Sequence, residues 1–443
     1  MNHFRIEELV VNKIGPFAHL KMKFPQKVNQ NKAEIHILTG ENGTGKSTIL
    51  QILSRCIPQN DPVLKKKQWT AMVDESNYTI AFSDGYKGNY DFRHLRYIYT
   101  KGSSKSREKV FSIGNDIIKN INSPTIKNYL SSGDEDKYII AFFCYSGYRK
   151  LSDSTVDAIS GLKMSPFENA LDFDKSTDTK TLVKWLANAI TKNALAYVKR
   201  TPKDRERAFE YHRPIAQLED IISKITGQRI EFELQEDPLK IVIYVDDNPL
   251  EFDQLPDGLK SIISWIGDLI MRLDRINWET PESIMERNFI LFLDEIEIHL
   301  HPAWQRKILP IIQHLFVNAQ IFISTHSPFV VGSVDGAWIH RFVKKDNVTS
   351  DSVGKPILSE DSNSYEYVLN EIFEIRERFG VEVEESLQEF NKIKNKILSG
   401  DKDYDRTRFS VLIDILMKQS TEIQNIVGME LRQLNRITNQ NFA

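Results

Sequence analysis

The chain has 443 residues, 41% of them hydrophobic and 27% charged, with a net charge of −3. This is a globular composition with length for two or three domains; it excludes a disordered or fibrous chain. It also excludes a global basic field, so any nucleic-acid contact has to come from local patches. The cysteines Cys56 and Cys144 lie far apart and form neither a disulfide framework nor a zinc pattern, so a reducing compartment is expected. Residues 1–13 lack a signal-peptide core, and the longest apolar run, Tyr138 to Tyr145, is too short to span a bilayer. A soluble cytoplasmic protein without a membrane partner is expected.

Residues 4–24 alternate apolar and polar through Phe4, Ile6, Leu9 and Val11, then Leu20, Met22 and Phe24. This predicts two strands joined by a turn at Gly15-Pro16, forming with a third strand at 34–39 the start of one sheet. Next comes Gly40-Glu41-Asn42-Gly43-Thr44-Gly45-Lys46-Ser47-Thr48, which fits G-x-x-x-x-G-K-[ST] between an apolar strand and a helix-spaced run. Gly43 and Gly45 let the backbone N–H groups converge on one point, and the helix starting near Lys46 adds its positive end. Lys46 supplies an ammonium for β- and γ-phosphates, and the Ser47 hydroxyl is a hard oxygen suited to Mg²⁺.

Residues 57–135 are less regular, with strands predicted near 78–82 and 95–99. The Lys65–Lys67 run and the group Lys101, Lys105, Arg107 and Lys109 suit either phosphate contact or a solvated surface. The run Tyr138–Phe143 predicts a core strand that ends near Tyr145 and Arg149. Arg149 either reaches a nucleotide or pairs with a surface carboxylate. Residues 164–226 have helical spacing, read as broken by Pro202 and Pro214, with basic residues Lys199 to Arg207 between. Residues 229–253 alternate as a hairpin or meander. Leu255-Pro256-Asp257-Gly258-Leu259-Lys260-Ser261 then opens an amphipathic helix, and its start is a weak anion-binding geometry.

Five apolar residues, Phe289 to Leu293, run into Asp294-Glu295. A buried strand of this kind delivers both acids to the sheet edge that carries the phosphate loop. Asp294 there holds Mg²⁺ through water, and Glu295 polarises the attacking water. His299-x-His301 has no second ligand pair at metal spacing, which rejects zinc; a loop shaping a subunit contact is the better reading. Another buried strand ends in Ser324-Thr325-His326, placing His326 to sense a γ-phosphate. Beyond a polar linker at 346–363, residues 364–443 read as three or four amphipathic helices.

These four segments, in this order, resemble the ATP-binding-cassette ATPases of the RecF and SMC branch. Within it, Glu297-Ile298-His299-Leu300-His301-Pro302 and Ser324-Thr325-His326-Ser327-Pro328 are similar to the PtuA-like ATPases of Septu anti-phage defence systems. The resemblance implies an α/β, ABC-type P-loop ATPase head over 1–345, with a mixed sheet and a helical and β insert at 57–250, and a C-terminal α-helical domain. It implies ATP and Mg²⁺ as ligands. Gly40, Asn42, Gly43, Thr44, Gly45, Lys46, Ser47 and Thr48 would bind nucleotide; Asp257, Gly258 and Lys260 would act as the signature. Ser47 and Asp294 would hold the metal, with Glu295 and His326 catalytic. It implies a homo-oligomer through the heads and an HNH nuclease partner (PtuB-like) on the C-terminal helices, with DNA left open as a further partner. The signature lacks the family's serine, so slow hydrolysis is expected. No glutamine follows the strand at 138–145, leaving Tyr145 or Arg149 for that place. The tail carries neither the strands of a Toprim site nor a His-Asn-His pattern, so no nuclease activity of its own is expected.

Overall fold

The computed structural model describes residues 4–56, 76–83, 86–91, 96–101, 109–112, 137–147, 151, 155–156, 158–162, 164–174, 177–199, 201–344, 353–360, 364–375, 377–401 and 403–442. Lys65–Lys67, Lys105, Arg107 and Arg149 lie outside them. The chain divides into two compact units, Met1–Phe373 and Glu374–Ala443.

In chain order the first unit begins with β1 (Ile6–Ile14), β2 (Phe17–Lys23), β3 (Glu34–Gly40) and α1 (Lys46–Leu53). Then come β4 (Asn77–Phe82), β5 (Tyr86–Asp91), β6 (Arg96–Lys101), β7 (Lys109–Ser112) and β8 (Ala141–Tyr145). Two helices, α2 (Thr179–Lys199) and α3 (Pro202–Thr226), precede β9 (Ile230–Glu236), β10 (Leu239–Val245) and β11 (Asn248–Leu250). The unit continues through α4 (Asp257–Arg275), β12 (Phe289–Leu293), α5 (Pro302–Leu315), β13 (Gln320–Ser324), α6 (Pro328–Val331), β14 (Trp338–Phe342) and β15 (Ile357–Leu358).

The central sheet runs β15-β14-β3-β13-β12-β8. Five of these strands are parallel and β15 is antiparallel at the edge. Its middle strands are apolar on both faces because both faces are covered. Along β12, Ile290 and Phe292 pack with Ile49, Leu50 and the antiparallel sheet, while Phe289, Leu291 and Leu293 pack with the helices on the other side. The second sheet, β2-β1-β4-β5-β6-β7, is antiparallel throughout. β1 and β2 therefore do not share a sheet with β3, contrary to the expectation. Local alternation reports which residues face inward, not which strand pairs with which.

Pro214 does not break its segment. It sits buried inside the continuous α3, among Ile215, Leu218, Ile221 and Ile222, and that burial overrides the lost N–H. Residues 229–250 form the meander β9-β10-β11, and Asp246 and Asp247 turn its second hairpin at φ 48° and 68°.

The expected division at 346–363 is displaced. β15 pairs with β14 inside that stretch, and a helical turn at Tyr365–Tyr367 leads into a π-turn at Val368–Ile372. Val368 and Ile372 are buried in the first unit's core, so Tyr365–Phe373 belongs with the first unit and not with the tail. The second unit is α7 (Val381–Leu398), α8 (Arg406–Met417) and α9 (Thr421–Thr438). It has its own core around Phe390, Phe409, Leu416, Val427 and Leu434.

Candidate nucleotide-binding site

The parallel register brings the C-terminal ends of β3, β13 and β12 side by side, with β13 between the other two. Three loops thus open at one edge: Gly40–Gly45 after β3, Thr325–His326 after β13 and Asp294–His301 after β12. Ser47, at the start of α1, donates its hydroxyl to Asp294 Oδ1 at 3.0 Å. Ser324 also donates to Asp294 Oδ1, and its Oγ accepts the N–H of Glu295 at 2.9 Å. Glu297 Oε1 accepts the N–H of His326 at 2.5 Å.

The loop geometry needs its glycines. Gly40, Gly43 and Gly45 have φ of 140°, 79° and 96°, a region costly to any residue with a Cβ. A Cβ on Gly40 would lie 2.2 Å from the Phe342 carbonyl oxygen, and one on Gly45 2.4 Å from the Phe17 ring. At Gly43 a Cβ would meet nothing within 4 Å, because that stretch of backbone faces open space. No side chain caps α1 and no acid sits in its first turn. Its first N–H groups and its positive end therefore face the opening, an arrangement suited to an anion.

The opening is a cavity of about 230 Å³, lined by Asn42, Gly43, Gly45, Lys46, Ser47 and Thr48 on one side and Glu295, Ser324 and His326 on the other. Gly15 and Pro16 of the first turn complete it. Lys46 is 5% exposed and its Nζ donates to the carbonyls of Gly40 and Glu41 at 2.9 and 2.8 Å. Burial lowers its pKa to about 8, against the opposing pull of Asp294, Glu295 and Glu297. The same physics lowers His326, by burial first and by Lys46 second, so its imidazole is held towards the neutral form. Glu297 is shifted up by burial, with Glu295 adding to the shift. Glu295 itself has φ 48°, a strained value for a side chain of its size, at the point where the chain leaves β12.

Of the residues singled out in the sequence, the structure brings Asn42, Gly43, Gly45, Lys46, Ser47, Thr48, Glu295 and His326 to this cavity, with Asp294 directly behind Ser47. Gly40 and Thr44 shape the loop; Thr44 Oγ1 closes onto the Glu41 carbonyl at 2.8 Å. Asp257, Gly258 and Lys260 line no part of it. Lys260 instead donates to the Asp253 carbonyl at 2.8 Å, and Gly258 lets the chain pass close to His299, whose carbonyl oxygen would lie 2.7 Å from a Cβ there.

Tyr145 is turned away: fully buried, it donates its hydroxyl to Asp268 of α4 at 2.8 Å, and Asp268 pairs with Arg272 at 2.5 Å. It therefore does not take the place of a nucleotide-contacting glutamine. Ser324 and Glu297 were missed as site residues. The signal was available only as positions, Ser324 ending an apolar strand and Glu297 two residues past Glu295, and neither position identifies a partner by itself.

The site fits a nucleoside triphosphate with a divalent cation. Ser47 Oγ and Asp294 Oδ1 are two hard oxygens 3.0 Å apart at the cavity's edge. Among the described residues no group of three or more His, Cys, Asp or Glu could cage a metal. The two oxygens of Ser47 and Asp294 suit an ion that takes its other ligands from water and phosphate, as Mg²⁺ does.

Strand, glycine loop, uncapped helix and an acid-bearing neighbouring strand together define a nucleotide-binding P-loop ATPase. Residues 35–332 match the family described as "AAA domain, putative AbiEii toxin, Type IV TA system", and residues 4–57 match a second AAA domain description. The chain belongs to the first of these families.

Among relatives, the Retron Ec83 probable ATPase of Escherichia coli is 23% identical over 75% of this chain and 70% of its own length. The Septu protein PtuA of Bacillus thuringiensis is 22% identical over 74% and 72%. The Retron Vc95 probable ATPase of Vibrio cholerae serotype O1 biovar El Tor is 24% identical over 70% and 68%. A solved SMC head bound to the C-winged helix domain of ScpA aligns with a TM-score of 0.42 at 14% identity, over 77% of this chain and 95% of that one. Among the described residues no helix is long and apolar enough to cross a membrane.

Proposed function

We propose that the chain is the ATPase subunit of an anti-phage defence complex, in which nucleotide state at the head governs a partner nuclease. The observation that carries the ATPase part is the convergence of Lys46, Ser47, Glu295, Ser324 and His326 on one cavity beside Asp294. The Septu and retron relatives support the setting.

In this reading Lys46 and the uncapped N–H groups of α1 grip the β- and γ-phosphates. Ser47 and Asp294 would hold Mg²⁺, which neutralises phosphate charge when bound. Glu295 takes the proton of the attacking water, and His326, held by Glu297, donates to the γ-phosphate. Asp257, Gly258 and Lys260 act on the cavity of a second copy, which is why they stand clear of their own. Hydrolysis is slow because Leu255-Pro256-Asp257-Gly258 carries Pro256, which has no hydroxyl, where the family's signature carries serine. The three C-terminal helices dock a nuclease of the HNH (PtuB-like) kind, and the chain itself cuts nothing.

Sedimentation tests this. Glu295→Gln with MgATP is expected to double in mass relative to the same protein with MgADP. An unchanged mass, with ATP bound, would sink the head-to-head reading. Failure of the chain to retain an HNH subunit after co-expression, while a chain truncated after residue 373 behaves identically, would sink the docking role.

A further inference from the structure

The helical hairpin α2–α3 carries a surface that the ATPase chemistry does not use. The two helices run antiparallel: Asn193 of α2 donates to the Ala208 carbonyl of α3 at 2.8 Å, and Lys192 sits 5.6 Å over the Tyr211 ring. Ala196 and Ala208 are the last buried residues towards the tip. Beyond or beside them Tyr197 is 71% exposed, Val198 76%, Phe209 69% and Leu195 60%. Single exposed apolar residues are ordinary. Four large ones in the outer turns of one hairpin, at most about 15 Å from its end, are not needed to pack it.

Charge gives the second observation. Among the described residues from 192 to 213, six lysines and arginines accompany three acids, and all six are exposed. The whole chain has a net charge of −3. Lys199, Lys203, Arg205 and Arg207 interleave with Tyr197 and Phe209 along the tip.

We infer that this tip binds unpaired nucleotides of a single-stranded nucleic acid. Exposed rings offer faces on which bases stack, and interleaved cations track the phosphates. A duplex hides its base faces, so the rings would go unused. The fully buried centre of a protein interface is depleted in lysine, whereas here Lys199 and Lys203 sit among the rings. The inference stands apart from the head-to-head reading, since none of these residues lines the nucleotide cavity.

Fluorescence anisotropy of the full-length chain with a labelled 20-nucleotide oligothymidylate tests it. Binding at 50 mM salt is expected, weakening steeply by 200 mM. Tyr197→Ala/Phe209→Ala should weaken it at least about ten-fold, and a blunt duplex of equal length should bind at least about ten-fold less well. Lys203→Glu/Arg205→Glu should weaken binding and flatten its salt dependence. All four positions are exposed, so ATP hydrolysis and Tm serve as folding controls. If the aromatic variant loses Tm, the charge variant decides.

No binding at 50 mM salt, equal binding of duplex, or binding unmoved by a folded variant overturns the inference. So does a fall in the chain's own sedimentation mass on altering the tip, which would mark the patch as a contact between copies.

Discussion

The two edges of the central sheet make an instructive pair. At the C-terminal edge a cavity of about 230 Å³ is bordered by Lys46, Ser47, Glu295 and His326. At the N-terminal edge of the same strands a cavity of about 210 Å³ is bordered by Arg5, Lys27, Glu34 and Gln320. Both are small and polar. They differ in where their polar atoms point.

At the N-terminal edge the groups satisfy one another. Arg5 Nη2 donates to Glu34 at 2.7 Å and to the Phe24 carbonyl at 2.6 Å, Gln320 donates to Glu34 at 2.6 Å, and His36 lies 2.9 Å from Glu34 and 3.2 Å from His340. Burial pushes the Glu34 carboxyl up, but bonds from His36 and Arg5 outweigh it and hold it at about 2. At the C-terminal edge the loop glycines have left-handed backbones, the helix start is uncapped and Glu295 is strained. A closed polar network stabilises a fold, whereas an uncapped helix start beside an open glycine loop suits an anionic ligand. Cavity size does not distinguish the two; the loop backbone and the uncapped helix start do.

The sharpest way to break this contrast is at the open edge. Glu295→Gln should lower kcat for ATP hydrolysis at least about 100-fold while leaving ATP affinity within a few-fold; steady-state kinetics with equilibrium ATP titration checks both. At the closed edge, Glu34→Ala strands the buried Arg5 and should destabilise the first unit by about 3–5 kcal/mol. Chemical denaturation reads this, and kcat per folded molecule should not move.

The same carboxyl gives a pH signature. Its folded pKa lies below its ordinary value of 4.5, so its contribution is complete above about pH 4.5 and is lost as pH falls towards 2. The variant's acid-denaturation curve should therefore lose that component.

Ser324→Ala removes a donor to Asp294 and an acceptor for the Glu295 N–H. A loss of about ten-fold in kcat is expected with a small change in Tm, and an unchanged kcat would demote Ser324 to packing. The smallest effect is on pH. Lys46 loses its proton above about 8 in the nucleotide-free chain, so ATP affinity should weaken by a few-fold for each pH unit above that value. Lys46→Arg should flatten the dependence. A flat profile in the native chain would show that Lys46 stays charged.

Much of the site was legible because its signals are local. Gly40 to Thr48 contains the glycines, the lysine and the hydroxyl within one turn of chain, and no long-range contact is needed to interpret them. Asp294-Glu295 at the end of five apolar residues is equally self-contained. Tyr145 was not legible: a polar tip at the end of a core strand suits a ligand or a buried acid equally, and only the approach of α4 with Asp268 settles which. The membership of Tyr365–Phe373 was hidden likewise, because its apolar stripe suits either unit's core.

The sequence alone determined which residues are the main candidates for the proposed chemistry, since the order of glycine, lysine, hydroxyl and acids restricts what the backbone and side chains can do. The tertiary structure decided their company. Inserting β13 between β3 and β12 places Ser324 and His326 between the lysine-bearing loop and the carboxylates. It also sends β1 and β2 into a separate sheet. Strand neighbours are chosen by burial over long sequence separations, and a period of two residues is the same whichever neighbour is chosen.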